Sequence, residues 1–375
     1  MNKYKLLLKK GEGTFSEVLK AQSIQTGKFV AIKCMKNHFA NSDQVNNLRE
    51  IQALRRLSPH AHIIQLIEVI YDEPTGRLAL VFELMDMNMY EWIRGRKQYL
   101  PDLKIKKHTF QLLKALDHMH SNEIFHRDIK PENILLSNDS LKLADFGSCR
   151  GINSKPPYTE YISTRWYRSP ECLLTDGYYD SKMDLWGVGC VLFEVHALFP
   201  LFPGKNELDQ IQKIHNILGT PSSEKLAWFK GHASHMSMNF QHKDGTGFFH
   251  MIPHVSESCK DLIKKLLIYD NEQRITAQEA LNHPYFKDLI SHNRSTKSLQ
   301  LNDEVYEKSE QDGKEEKKVQ GKKLLPLIKK MKKNPSLGKI NEKSLGESKV
   351  HLPIVKIHVS PYGQKSQNKL KISLK

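Results

Sequence analysis

The chain opens with short apolar runs bounded by turn residues. Phe29-Val30-Ala31-Ile32 and Leu78-Ala79-Leu80-Val81-Phe82 are two of them, and each predicts a β-strand. Between them Val45, Leu48, Ile51 and Leu54-Arg55 fall at three- and four-residue spacing, which predicts one helix over 45–57. From Asp102 onward the helical period dominates. Phe110, Leu112-Leu113, Leu116 and Met119 make one apolar stripe, and further helices are predicted over 185–197, 207–218 and 260–268. Pro284-Tyr285-Phe286 closes the last periodic segment. The pattern predicts an α+β fold, with a small β-rich lobe at 4–85 and a larger helical lobe at 86–287. Past Ser291 the period is lost to Lys, Ser, Asn, Gln and Glu, so 288–375 reads as a basic, largely disordered tail.

Composition changes this picture little. At 375 residues and 39% apolar, the chain can bury a large core. Its five cysteines, Cys34, Cys149, Cys172, Cys190 and Cys259, form no CxxC pair, which points to buried thiols rather than disulfides or a zinc site. Leu6-Leu7-Leu8 is too short for a signal peptide, and no run approaches a membrane span, so an intracellular, soluble protein is expected. The net charge of +15 is uneven: 291–375 holds 20 Lys+Arg against 9 Asp+Glu, or +11 of the total. The folded part alone therefore gives no electrostatic case for nucleic-acid binding.

Three motifs carry the chemistry. In Gly11-Glu12-Gly13-Thr14-Phe15-Ser16-Glu17-Val18, a glycine-rich turn between strands lets backbone amides approach phosphate. Ser16 stands where a third glycine completes that pattern, and a plain tight hairpin is the competing reading. In Val30-Ala31-Ile32-Lys33 the lysine ends an apolar strand, where it is either an edge charge or a partner for phosphates. Glu50, on the helix that follows, is placed to hold its ammonium. The third motif decides the matter: His126-Arg127-Asp128-Ile129-Lys130-Pro131-Glu132-Asn133, then Asp145-Phe146-Gly147. Phosphoryl transfer needs metal ions to neutralise charge and a carboxylate to orient the attacking hydroxyl. Asp128 fits the carboxylate's part, Asn133 and Asp145 are hard oxygen ligands for Mg²⁺, and Lys130 neutralises the γ-phosphate.

With these residues, 4–287 resembles the eukaryotic protein kinases. The resemblance implies a bilobal fold with ATP in the cleft between lobes. It implies that Phe82 is the gatekeeper, that Glu83 and Met85 offer hinge backbone contacts to adenine, and that Val18, Ala31 and Leu135 wall the ring. It aligns Leu54, Leu66, His126 and Phe146 in a stack anchored by Asp184, and pairs Glu171 of Ser169-Pro170-Glu171 with Arg274. Lys130, and Thr164 placed to hydrogen-bond the catalytic aspartate, resemble Ser/Thr rather than tyrosine kinases. Arg168 and the long insert after Phe202 resemble the cyclin-dependent/MAP kinase group, which implies protein substrates with proline after the target Ser or Thr. Residues 44–54, 83–88 and 159–166 carry a closer resemblance to one branch of that group.

Thr159-Glu160-Tyr161 resembles the dual phosphorylation motif of MAP kinases. Arg49, Arg127 and Arg150 are placed to receive a phosphate on Thr159, and Arg165 and Arg168 one on Tyr161. The competing reading pairs these arginines with nearby carboxylates. The phosphate donor is an upstream kinase or the chain itself, and a chaperone is a further candidate partner. In the tail, Lys322-Lys323-Leu324-Leu325-Pro326-Leu327-Ile328-Lys329-Lys330-Met331-Lys332-Lys333 reads as a solvated basic linker, a nuclear import signal, or a membrane or calmodulin target. The expected location is cytoplasmic, with nuclear entry open. Two other classes compete with this reading. A catalytically dead scaffold is disfavoured because Lys33, Asp128, Asn133 and Asp145 are all present. A nucleic-acid binder rests on the tail alone.

Overall fold

Five strands build the small lobe: β1 (Tyr4–Glu12), β2 (Ser16–Ser23), β3 (Phe29–His38), β4 (Leu66–Asp72) and β5 (Arg77–Glu83). They pair antiparallel in the order β1-β2-β3-β5-β4, and the backbone of Ile357–Val359 lies parallel beside β4. This computed structural model describes residues 2–154, 156–158, 164–234, 239–290 and the backbone of 357–359. Both strand runs read from the sequence lie within β3 and β5. Successive side chains of a strand point to opposite faces. Val30 and Ile32 accordingly join Ala21, Ala79 and Val81 in one apolar cluster, which leaves Ala31 and Lys33 to line the cleft.

The single helix expected over 45–57 is in fact two, α1 (Ser42–Asn46) and α2 (Arg49–Leu57). Asn47 closes α1 with its amide on Asp43 O and Val45 O, and Leu48 turns extended at ψ 127°. Asparagine competes poorly within a helix, so the apolar period continues across a break in the backbone. The break puts Arg49 and Glu50 at the start of α2.

In the large lobe β6 (Met87–Asn88) leads into α3 (Met89–Ile93) and α4 (Asp102–Ser121). Then come β7 (Ile124–Phe125), β8 (Ile134–Ser137), β9 (Ser140–Leu143) and β10 (Arg150–Gly151). These strands pair as β6-β8-β9 and β10-β7. The remaining helices are α5 (Pro170–Leu174), α6 (Lys182–Ala197), α7 (Glu207–Leu218), α8 (Ser223–Gly231), α9 (Glu257–Leu266) and α10 (Ala277–Leu281).

Every residue of α6 from Met183 to Ala197 is buried. A helix enclosed on all sides is a core element. Two glycines let it pack closely: a Cβ at Gly187 would lie 2.8 Å from Ile129 Cβ, and one at Gly189 would lie 2.8 Å from Leu267. Tyr285, in the short turn of helix at Pro284–Phe286, donates to Asp102 at 3.0 Å and fastens the end of the lobe to the start of α4. Among the described residues no helix is long and apolar enough to cross a membrane. The tail reading for 288–375 falls almost wholly outside the described residues.

Candidate active site

The cleft is a cavity of about 310 Å³ between the glycine turn and the large lobe. Its walls include Gly11, Val18, Ala31, Phe82, Glu83, Met85 and Leu135. Glu83 gives its amide to Gln65 O at 3.2 Å, and its carboxylate accepts from Gln65 N at 2.8 Å. Of the glycine turn, only Gly11 and Val18 reach the cavity. Glu12 turns away to Lys36 at 2.7 Å, Gly13 donates to Ser16 O at 2.8 Å, and Phe15 is 63% exposed. Thr14 and Ser16 likewise do not line it. Ile64, Asp86, Glu91, Glu132 and Ala144 do, though sequence reasoning did not select them. Ala144 and Glu132 were discoverable as neighbours of the decisive motif. Ile64 comes from the loop after α2, and only folding brings it there.

On the polar side, Lys33 Nζ reaches Glu50 at 2.8 and 2.9 Å and Asp145 at 3.2 Å. Burial by itself would depress the Lys33 ammonium, but Glu50 and then Asp145 outweigh it and its pKa is raised. Burial works against the Asp145 carboxylate too, and Lys33 reverses that, so its pKa is lowered. Both groups are therefore charged at neutral pH. Below them Lys130 Nζ meets Asp128 at 2.9 Å, and Asn133 Nδ2 donates to Asp128 O at 2.8 Å and to its carboxylate at 2.9 Å. With its amide nitrogen spent on Asp128, Asn133 has its carbonyl oxygen left as a hard donor. With Asp145 in the same cleft, this donor set suits a magnesium ion. Thr164 borders the same small cavity as Asp128.

Asp184 of α6 holds this loop from beneath. Its carboxylate accepts from the backbone amides of His126 and Arg127, each at 2.8 Å, and meets His120 at 3.0 Å. That grip sustains Arg127 at φ 70°, a strained value for a residue with a Cβ. His126 stacks edge-on against Phe146 at 5.4 Å; both are fully buried, and Leu54 is 1% exposed. Leu66, the other member of that stack, is half-buried. Arg274 donates two hydrogen bonds to Glu171, at 2.6 and 2.9 Å, in a fully buried bidentate ion pair.

Arg49, Arg127 and Arg150 converge. Burial, then Arg150 and Arg127, lower the Arg49 pKa, as expected of cations held close together. Arg127 donates to Ser148 O at 2.6 Å and to Tyr179 Oη at 2.9 Å. Arg165 and Arg168 lie 3.9 and 3.6 Å from the Glu207 carboxylate. Thr159 and Tyr161 lie outside the described residues.

The protein kinase domain family model matches residues 4–286. The chain is 57% identical over 287 residues to the mouse "MAPK/MAK/MRK overlapping kinase", covering 76% of this chain and 68% of that protein. The human protein of the same name is 56% identical over 288 residues, covering 77% and 68%. The human serine/threonine-protein kinase MAK is 41% identical over 290 residues, covering 76% of this chain and 46% of its own length.

Proposed function

Because the chain belongs to the protein kinase family, as a serine/threonine kinase of the MAP/cyclin-dependent-like group, we propose that it moves the γ-phosphate of ATP to Ser/Thr hydroxyls followed by proline. We further propose that phosphorylation of Thr159 and Tyr161 switches it on. The observation that carries the reading is the charge network at the cleft: Lys33 on Glu50 and Asp145, with Asp128 between Lys130 and Asn133.

Val18, Ala31 and Leu135 wall the adenine ring, and the backbone of Glu83 and Met85 meets its edge. Lys33 binds the α- and β-phosphates. Asp128 orients the substrate hydroxyl and accepts its proton, while Lys130 faces the γ-phosphate. Asn133 and Asp145 would hold Mg²⁺, which when bound neutralises charge on the phosphates. Thr164 positions Asp128. Arg49, Arg127 and Arg150 are a ready receiver for a phosphate on Thr159, because their mutual repulsion is relieved by an anion. The proline preference rests on the group resemblance of Arg168 and its surroundings.

The test is transfer of labelled γ-phosphate from Mg-ATP to Ser-Pro and Ser-Ala peptides, with Asp145→Asn as control. Transfer that requires Asp145 and favours Ser-Pro is expected. Equal use of both peptides would remove the proline preference. No transfer, even with Thr159 and Tyr161 phosphorylated, would overturn the catalytic reading.

A further inference from the structure

β4 is the last strand of the five that build the small-lobe sheet. Its inner side pairs with β5, with Val69 opposite Leu80, Ile70 opposite Ala79 and Tyr71 opposite Leu78. The outer side of such a strand is a row of amides and carbonyls ready to pair with another chain segment. Here that side is taken. The backbone of 357–359 runs parallel to β4, with Ile357 at Val69, His358 at Ile70 and Val359 at Tyr71. A parallel partner cannot come from a tight hairpin, and this one comes from the far end of the chain.

The covering segment has a strand signature of its own. Ile354-Val355-Lys356-Ile357-His358-Val359 holds four β-branched apolar residues in six. Pro353 and Pro361 bracket it, and proline keeps a ladder from running on. From Val355 to Val359 apolar and polar positions alternate. The register respects that alternation. Val69 and Tyr71 are fully buried, and the apolar positions 357 and 359 pair with them. Ile70 is only partly buried, and His358 pairs with it. A slip of one residue would set His358 beside a fully buried position instead. The local pattern of one segment and the burial of the other therefore select the same pairing.

We propose that the outer edge of β4 is a strand-docking strip, and that its occupant is this chain's own segment centred on His358. Backbone hydrogen bonds supply the affinity, and the alternate side chains fix the register. The segment belongs to the same chain, so docking is intramolecular, at an effective concentration of about millimolar or below. Docking turns β4 from an edge into an interior strand. It also ties the end of the basic C-terminal sequence to the small lobe. The strip lies close to the cleft: Gln65, directly before β4, accepts from the Glu83 amide at 3.2 Å, and Glu83 lines the cavity.

The experiment is hydrogen exchange of the full chain, read by mass spectrometry over residues 66–72. It compares the parent with the double variant Ile357→Pro/Val359→Pro, each at two protein concentrations. Proline has no amide hydrogen to give a ladder, and both changes lie outside the kinase lobes. A segment docked about nine-tenths of the time slows the outward amides about tenfold, so the variant should exchange about tenfold faster over 66–72 and equally elsewhere in the small lobe. A blocked peptide of residues 353–360 should restore the protection in the variant, half-maximally at or below about 0.1 mM, given a docking constant of about ten and the effective concentration above. Equal exchange in parent and variant overturns the proposal. So does a variant that the peptide leaves unprotected at about ten times that concentration. Protection in the parent that fades on dilution overturns it as well, by assigning the strand to a second copy.

Discussion

Glu50 and Asp145 share one ammonium, and the short, two-oxygen contact of Glu50 sets where Lys33 points. Glu50→Gln keeps the size but removes the charge, so Lys33 is left to Asp145. Steady-state kinetics are expected to show kcat/KM lower by about 10²–10³, the cost of misplacing one preorganised charge. Glu194 is a different case. Burial pushes its carboxyl up to about 7, against the Tyr167 hydroxyl, which donates to it at 2.7 Å. An acid with a raised folded pKa is preferentially protonated in the fold. Its stabilising contribution is therefore intact below the ordinary 4.5 and is lost as pH rises to about 7. Glu194→Gln keeps an acceptor for Tyr167 and cannot ionise. Denaturant titrations should find it more stable than the parent by about 1–3 kcal/mol at pH 8 and nearly equal at pH 4. Sequence reasoning had no route to Glu194, because its perturbation comes from neighbours distant in the chain.

At the scale of elements, α6 is the pillar under the catalytic loop. Asp184 binds that loop by two backbone amides, and Gly187 lets Ile129 lie against the helix. Gly187→Ala pushes the loop away from Asp184. Thermal unfolding should register a loss of about 1–3 kcal/mol, the usual cost of overpacking. Peptide phosphorylation should fall further than stability accounts for, because Asp128 rides on the displaced loop. The helical period revealed α6 and α7 to within a few residues, since each is long and strongly patterned. The break between α1 and α2 was not legible. The apolar spacing runs through it, and only the backbone at Asn47 and Leu48 records the turn.

For the whole molecule, the proposed switch rests on three elements meeting: α2 brings Arg49, the catalytic loop Arg127, and β10 Arg150. Phosphorylated protein is expected to outpace unphosphorylated protein in peptide turnover. Arg49→Ala should cut that gain about tenfold while leaving the unphosphorylated rate nearly unchanged, because one charge-assisted bond is worth ~1.5–3 kcal/mol. Equal activation of parent and variant would remove Arg49 from the switch. The sequence by itself determined the chemistry: phosphoryl transfer requires particular residue types at short, rigid spacings, and Asp128, Lys130, Asn133 and Asp145 stand within two local motifs. It determined the two-lobed plan as well, because burying one face of a strand or helix imposes a local period. Tertiary structure decided what depends on distance across the chain. It turned Glu12 away from the cleft and brought Arg165 and Arg168 to Glu207. None of these has a local signature, because charge pairing and burial are set by which elements meet, and the period of any one element does not contain that.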